Sequence, residues 1–197
     1  RTVVQCLEAS EADVARVRSR ARETGCYGRV SAKVFNGKRL PYTDGLVNLV
    51  LVENPDSVPM TEIMRVLTPQ GVVCVRAGDG WKTTVKPRPI DIDDWSHFLY
   101  NASGNPVGKD RRTGPPRQLQ WEDEPRGTRS HERMSSVSVA VTSGGSVFTI
   151  MDEGPLASVY LPSKWALTAR DAFNGIVLWK KPIPLWHTQW FKLKSGP

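Results

Sequence analysis

Cysteine is scarce in this sequence of 197 residues, and the few thiols form no recognisable pattern. Cys6, Cys26 and Cys74 include no Cys-x-x-Cys pair and have no histidine at metal-ligand spacing. The pattern therefore predicts neither a zinc site nor a disulfide framework, and we assign no metal ligands. We interpret the three residues as small buried thiols.

Long apolar runs are also missing. No stretch approaches the roughly 18 consecutive apolar residues of a transmembrane helix, which excludes such a span from this sequence. A hydrophobic content of 39% argues against wholesale disorder. No charged-then-apolar leader follows Arg1, so the start of the sequence does not indicate a compartment.

Blocks of like charge are absent although the net charge is +7. The excess is spread thinly, at +5 over residues 1–90 and +2 over residues 91–197. Four arginines alternate between residues 16 and 22, and at that spacing they wrap around a helix instead of forming one stripe. The basicity indicates a solvated surface, and nucleic acid is not an expected partner.

Two different compositions are joined in the chain. All cysteines precede residue 90, whereas six of the seven tryptophans follow it. The boundary between the two compositions lies at Lys-Pro-Arg-Pro (residues 86–89), where alternating prolines disfavour a helix and favour a stiff, extended linker. We predict an α/β domain over residues 1–85, a proline-rich linker over 86–94, and a second domain over 95–197.

The first half has the pattern of alternating strands and helices. A short apolar run ends at Glu8, Ser10 and Asp13 form a weak capping pair for a helix, and residues 30–34 alternate as a strand. Residues 46–52 are almost continuously apolar, which is typical of a parallel strand buried on both faces. A short helix over 61–67, a turn over 69–71 with Gly71 at positive φ, and a strand over 71–75 complete an open, doubly wound α/β sheet.

The second half lacks helical periodicity. Valines alternate over residues 137–141, and Ser-Gly-Gly (143–145) turns the chain into a second strand over 147–151. Strands over 165–172 and 176–179 flank Asn174-Gly175, a strong hairpin signal. Four short antiparallel strands make a sheet of the size used as a β-propeller blade.

Three stretches of the first half resemble class I S-adenosylmethionine-dependent methyltransferases. They are the strand ending in Glu8, the segment Phe-Asn-Gly-Lys-Arg-Leu-Pro-Tyr (35–42), and Glu-Ile-Met-Arg-Val-Leu-Thr-Pro-Gln-Gly (62–71). The resemblance implies a Rossmann-like sheet in which Glu8 accepts the ribose hydroxyls of S-adenosylmethionine and Asn36, with Gly37, meets its adenine. The family's glycine-rich loop is expected before Arg1 and is absent from this sequence.

Each of these residues also has a structural interpretation. Glu8 is equally explained as a cap for the following loop, and Asn36-Gly37 is a general turn signal. The 62–71 motif shapes the fold and performs no chemistry. No catalytic residue is assigned, because such enzymes act mainly by holding the methyl donor in line with its acceptor.

In the second half, Ala169, Asp171, Gly175 and Trp179 match the Ala-x-Asp-x-x-x-Gly-x-x-x-Trp signature of PQQ-type, quinoprotein-like propeller repeats. The resemblance implies the lead-in and first blade of a propeller, with Trp179 packed between blades and Gly175 and Asp171 fixing the turn. Bound PQQ is not expected, because its site needs several blades. The expected partners are the remaining blades of a longer chain, besides an unidentified protein or small molecule.

The remaining polar clusters are assigned mainly structural roles. Asp91, Asp93 and Asp94 lack the later acid and glycine of a calcium loop, so turn and capping roles are preferred. His97, His131 and His187 are isolated from one another. Only His131 lies in a dense polar cluster, and its role stays open.

The order of the two modules resembles large bacterial proteins that join them in one chain, of which this would be an internal piece. The predicted fold class is α/β followed by all-β: a partial Rossmann-like methyltransferase sheet, then the start of a propeller. The leading functional hypothesis is methyl transfer from S-adenosylmethionine to an unknown acceptor, which requires the cytoplasm. The alternatives are a non-catalytic exported or periplasmic scaffold and a quinone-dependent dehydrogenase.

Overall fold

The computed structural model describes residues 2–112, 119–123, 137–157 and 161–184. The chain divides into two compact units. The first comprises Arg1–Leu67 and Gly71–Lys86, and the second comprises Thr68–Gln70 and Pro87–Pro197.

A parallel strand pair opens the first unit. Strand β1 (Val4–Glu8) pairs with β2 (Val30–Val34), and helix α1 (Glu11–Glu23) connects them. The helix begins where predicted, because the Ser10 hydroxyl caps it by accepting a hydrogen bond from the Asp13 backbone N–H at 3.1 Å. It ends before Gly25, whose φ of +67° lets the chain reverse.

The alternating arginines of α1 all have partners within the first unit. Arg16 and Arg20 pair with carboxylates on the same helix, and the Arg22 guanidinium lies over the Tyr27 ring. Arg18 reaches across to β2 and donates to the Ala32 carbonyl oxygen at 2.9 Å. The arginines therefore support the helix and its docking on β2.

A second sheet carries most of the first unit's core. Strand β3 (Val47–Val52) runs parallel to β4 (Leu67–Ala77), which pairs antiparallel with β5 (Gly80–Val85), and helix α2 (Met60–Val66) precedes β4. Apolar side chains from α2, from one face of the sheet and from the segment between β2 and β3 form the core, namely Leu40, Val52, Ile63, Val66, Leu67 and Val73. The sheet was expected to end near Val75, and β5 extends it.

Strand β3 is buried on one face only, so the prediction of a strand buried on both faces is wrong. The side chains of Leu49 and Leu51 are 53% and 62% exposed, whereas Val52 lies in the core. Because side chains alternate along a strand, these two leucines share the face opposite α2. The continuous apolar run indicates that both faces of the strand could be buried. It does not show whether another element covers the face of Leu49 and Leu51.

Two further predictions of local detail are wrong. The positive φ of the 69–71 turn belongs to Gln70, at +66°, and not to Gly71. Gln70, in this left-handed conformation, lies at a register shift in the β3–β4 ladder, between the pairs Val47–Leu67 and Leu49–Val72. The three cysteines are free thiols but are half-buried and not fully buried.

The second unit contains one antiparallel sheet with strands in chain order. These are β6 (Val137–Ser143), β7 (Ser146–Asp152), β8 (Trp165–Asp171) and β9 (Val177–Pro182). All four strands were predicted, and glycines at positive φ make the two tightest turns. The outer edge of β6 is covered at Thr142, whose N–H donates to the Trp95 carbonyl oxygen at 2.7 Å. The outer strand β9 ends in Lys180, Lys181 and Pro182.

The predicted fold class is nevertheless wrong. Over the described residues the strands form three separate sheets, and no ladder joins β1–β2 to β3–β4–β5. Only two helices, of 13 and 7 residues, accompany them, so the helix-rich layout of a Rossmann-like sheet is not present. A propeller needs several blades around an axis, and this part of the chain holds one four-stranded sheet. Neither described helix is long and apolar enough to cross a membrane.

Candidate functional site

Glu8 is the last residue of β1 and lies opposite Val34, the last residue of β2. Its side chain is half-buried. Within the described ranges, no hydrogen bond or ion pair engages its carboxylate. This carboxylate is therefore an available acceptor at the carboxyl edge of a parallel strand pair, where open α/β sheets bind their ligands.

Asn36 follows β2 by two residues and belongs to the same edge. The chain is held there because the Phe35 N–H donates to the Glu8 carbonyl oxygen at 2.8 Å. The Asn36 side chain is exposed, and its amide has no hydrogen-bond partner in the described part of the chain. The structure thus brings the two predicted cofactor contacts, Glu8 and Asn36, to one edge.

Gly37 continues this edge in a conformation suited to glycine. Its φ is +94°, and an added Cβ would lie 3.2 Å from the backbone oxygen of Ser57. Both observations require a residue without a side chain, as in the turn interpretation of Asn36-Gly37. The turn and the ligand-binding interpretations are compatible, because the turn leaves Asn36 exposed.

Polar and thiol groups lie along β1, the strand that ends at Glu8. The Tyr42 hydroxyl donates to Gln5 Oε1 at 2.5 Å. Burial raises the pKa of the Cys6 thiol, and the nearby Glu8 carboxylate raises it further. Burial also raises the pKa of Tyr42, with Cys6 as a second cause. Cys6 and Tyr42 are therefore neutral at pH 7. Sequence reasoning assigned neither to this edge, since only the fold places Tyr42 beside β1.

The segment after Gly37 is fixed by one arginine of α2. All five N–H donors of the Arg65 guanidinium form hydrogen bonds. Three go to carboxylate oxygens, two of Glu62 at 2.6 and 2.9 Å and one of Asp44 at 2.6 Å. The other two go to the carbonyl oxygens of Leu40 at 3.2 Å and Tyr42 at 2.9 Å. Glu62 Oε1 also accepts from the Leu40 N–H at 2.8 Å. We call Arg65, Glu62 and residues 40–44 the arginine brace.

The arginine brace shifts the ionisation of its members. The hydrogen bond from Arg65, with that from the Leu40 N–H, lowers the pKa of Glu62 from 4.5 to about 2. The bonds to Glu62 and Asp44 raise the pKa of Arg65 above its ordinary value. Glu62 and Arg65 are thus both charged at any physiological pH. The spacing Glu-x-x-Arg was visible in the sequence, but its backbone acceptors were not.

The three aspartates in the second half of the linker serve as turn and pairing groups. Asp93 accepts from the Tyr100 hydroxyl at 2.5 Å and from the Lys109 N–H at 2.7 Å. Asp94 pairs with Arg88, and Asp91 pairs with Arg112. No group of His, Cys, Asp and Glu in the described residues has the arrangement of a metal site.

The histidines add no second site to the described residues. His97 Nδ1 lies 2.9 Å from the hydroxyl of its exposed neighbour Ser96. His131 and His187 lie outside the described residues, so the open question of His131 stays a prediction.

The four residues of the predicted repeat signature lie around one hairpin. The Asp171 carboxylate accepts from the N–H groups of Phe173 and Asn174, which fixes the turn. Gly175 has a φ of +74°, and the Trp121 ring occupies the space that a Cβ would fill. The signature therefore acts as a local turn device in this structure.

Ala169 and Trp179 lie side by side on β8 and β9. Ala169 is fully buried, and its partner on β7 is Phe148. The Phe148 and Trp179 ring centroids are 6.0 Å apart, although two strand spacings separate their backbones by about 10 Å. The rings thus lean together over Ala169. Trp179 remains 41% exposed.

A cavity of about 360 Å³ lies on the other face of this sheet. Its walls include Trp121, Met151 and the ion pair of Arg170 with Asp123. The Thr149 hydroxyl, also in the lining, is buried and has no hydrogen-bond partner among the residues that the structure describes. Because the charged groups are already paired, the cavity offers mainly apolar surface.

No protein-family model matches the chain. No curated protein matches it either. Among solved structures, the crystal structure of the [4+2]-cyclase SpnF is similar at 26% identity over 38% of this chain, with a TM-score of 0.35. The matched part spans only 29% of the SpnF chain. SpnF is thus a distant structural neighbour, and a likeness of this extent establishes neither the fold nor the activity of the protein.

Proposed function

We propose that the protein takes part in methyl transfer from S-adenosylmethionine and that the Glu8 edge holds the nucleoside part of this molecule. The observation that carries the proposal is the pair of unengaged polar side chains, Glu8 and Asn36, at one carboxyl edge of two parallel strands. The sequence motifs over residues 3–8, 35–42 and 62–71 support it independently of the sheet arrangement.

Each residue has a definite chemical role in this proposal. An ionised carboxylate accepts two adjacent hydroxyls through charge-assisted bonds, which are stronger than neutral ones. Glu8 therefore binds the ribose. The Asn36 side-chain oxygen accepts from the adenine amino group, and its amide can donate to a ring nitrogen. Gly37 allows the chain to turn there without a side chain.

The bound molecule supplies an electrophilic methyl group on a sulfonium. The contribution of this chain is to hold the nucleoside, so that the position of the methyl group relative to an acceptor is fixed. No residue of the described ranges is assigned as an acid or base.

Calorimetric titration of S-adenosylmethionine into the natural-length protein tests the proposal. Glu8→Gln keeps the shape of the side chain but removes its charge, and it should weaken binding by roughly ten- to a hundred-fold. Asn36→Ala should weaken it less, because a neutral amide forms weaker bonds.

Glu23→Gln is the matched control. Glu23 is an exposed carboxylate at the opposite end of α1, and its described partners, Ser19 and Arg20, lie on the same helix. Its replacement should leave the affinity unchanged. Failure of the wild-type protein to bind would refute the proposed function, and equal affinity in Glu8→Gln would remove Glu8 from the site.

A further inference from the structure

The segment that carries Asn36 is held at only a few points. At its start, the Phe35 N–H bonds to the Glu8 carbonyl oxygen. At its end, Leu40 is buried in the core and the Tyr42 hydroxyl bonds to Gln5 on β1. Residues 36–39 form the short span between these anchors, so the position of Asn36 depends on where Leu40 and Tyr42 are fixed.

The arginine brace strengthens the second anchor through the side chains of Arg65 and Glu62. Arg65 and Glu62 contact the backbone of Leu40 from both directions, because Arg65 donates to its carbonyl and Glu62 accepts from its N–H. Arg65 also donates to the Tyr42 carbonyl. Three backbone groups of the segment thus depend on two side chains of α2.

The geometry requires a guanidinium. The planar Arg65 guanidinium directs five donors toward five acceptor atoms. A lysine ammonium has only three donors and cannot form the paired, planar hydrogen bonds of a guanidinium. The Arg65 side chain is 20% exposed, so water cannot readily replace the lost donors.

We propose that Arg65 is a positioning residue for the nucleoside site: through residues 40–44 it fixes Asn36 at the edge that Glu8 shares. This inference rests on the proposed function. It assigns to the Glu-x-x-Arg pair a role in ligand affinity in addition to its contribution to the fold.

Arg65→Lys in the natural-length protein is the principal test. We expect the affinity for S-adenosylmethionine to fall about five- to twenty-fold. We also expect the amides of residues 38–44 to exchange with solvent at least about ten-fold faster, while amides of α1 and β2 exchange at wild-type rates. Arg16→Lys is the matched control, because Arg16 also pairs with a carboxylate three residues away at 2.6 Å but makes no other described bond.

A double-mutant cycle separates positioning from general loss of stability. If Arg65 acts through Asn36, Arg65→Lys should weaken binding by much less in an Asn36→Ala background than in the wild type. Equal effects in both backgrounds would overturn the inference. Unchanged affinity in Arg65→Lys would overturn it as well, with the proposed function intact if the wild type binds.

Asp44→Ala provides a milder variant in case Arg65→Lys unfolds the first unit. The Asp44 side chain is 78% exposed, so its replacement removes one contact of Arg65 with little effect on the core. A two- to three-fold loss of affinity, again dependent on Asn36, would support the inference. No loss of affinity would contradict it. If the wild-type protein does not bind S-adenosylmethionine, the proposed function is refuted and the inference about Arg65 is refuted with it. That result differs from wild-type binding with unchanged affinity in the variants, which would refute only the inference about Arg65.

Discussion

The contact between Gly175 and Trp121 allows a sharp test of the second unit. Gly175 combines a left-handed backbone with a side-chain position already filled by the indole ring. We predict that Gly175→Ala lowers the free energy of unfolding by about 3 kcal/mol. Left-handed strain contributes about 1–2 kcal/mol, offset by about 0.4–1 kcal/mol from the stiffer unfolded chain.

The remainder comes from Trp121. Its ring must move, and overpacking of this kind costs about 1–3 kcal/mol. The displacement also weakens the hydrogen bond from Trp121 Nε1 to the Ala172 carbonyl, 3.2 Å long, which contributes about 1 kcal/mol.

Gly144→Ala isolates the backbone contribution. Gly144 has a φ of +58°, and an added Cβ there meets no atom within 4 Å. Its replacement should cost only about 0.5–1 kcal/mol, because strain and unfolded-state entropy nearly cancel. Urea unfolding followed by far-UV circular dichroism, together with exchange of the β8 amides, gives both values without relying on tryptophan fluorescence.

Equal losses for Gly175→Ala and Gly144→Ala would refute the reasoning. So would a Gly175→Ala penalty that stays undiminished in a Trp121→Ala background, where the ring that causes the clash is gone and only the backbone strain should remain.

Three other predictions concern single features of the fold. Ala169→Leu should destabilise the second unit by about 1–3 kcal/mol, measured by urea unfolding, because the Phe148 and Trp179 rings meet over that position; a neutral effect would mean that the rings leave space. Gln70→Gly should raise the midpoint of thermal unfolding, with a gain of about 0.5–1 kcal/mol, because it relieves a positive φ; destabilisation would show that the Gln70 side chain makes a contribution larger than the strain. The pKa of Glu62, lowered to about 2, means that its stabilising effect is complete above about pH 4.5 and is lost as the pH falls toward 2. The thermal midpoint of Glu62→Gln should therefore lie below that of the wild type at pH 7 and approach it near pH 2. A difference that stays constant with pH would contradict the prediction.

The sequence predicted the elements better than their assembly. Strand and helix positions follow from local periodicity and from caps such as Ser10, which is why α1 and the four strands of the second unit were found. Which strands share a ladder depends on contacts between distant segments. The separation of β1–β2 from β3–β4–β5 therefore could not be read from the pattern of apolar residues, and neither could the exposure of Leu49 and Leu51.

The placement of the candidate site residues was predictable from the sequence, but the side chains that support them were not. Glu8 and Asn36 were proposed from the resemblance to methyltransferase motifs, and strand order predicts only that a carboxylate at one strand end and a polar residue after the next parallel strand share an edge. The arginine brace depends on backbone carbonyls, which every residue possesses and no sequence pattern distinguishes. Trp121 was not predicted as the neighbour of Gly175 either, because the two residues are far apart in the sequence.

The two outer strands of the four-stranded sheet bear on how the protein behaves when concentrated. Fibril growth requires an open strand edge on which identical segments can stack. Along β6 that edge is occupied at Thr142 by the Trp95 backbone, and β9 ends in two adjacent ammonium groups and a proline that lacks an N–H. Both edges are therefore poor templates for a second chain. Aggregation of the folded protein should instead begin in the first unit, at the apolar face that Leu49 and Leu51 leave open to water.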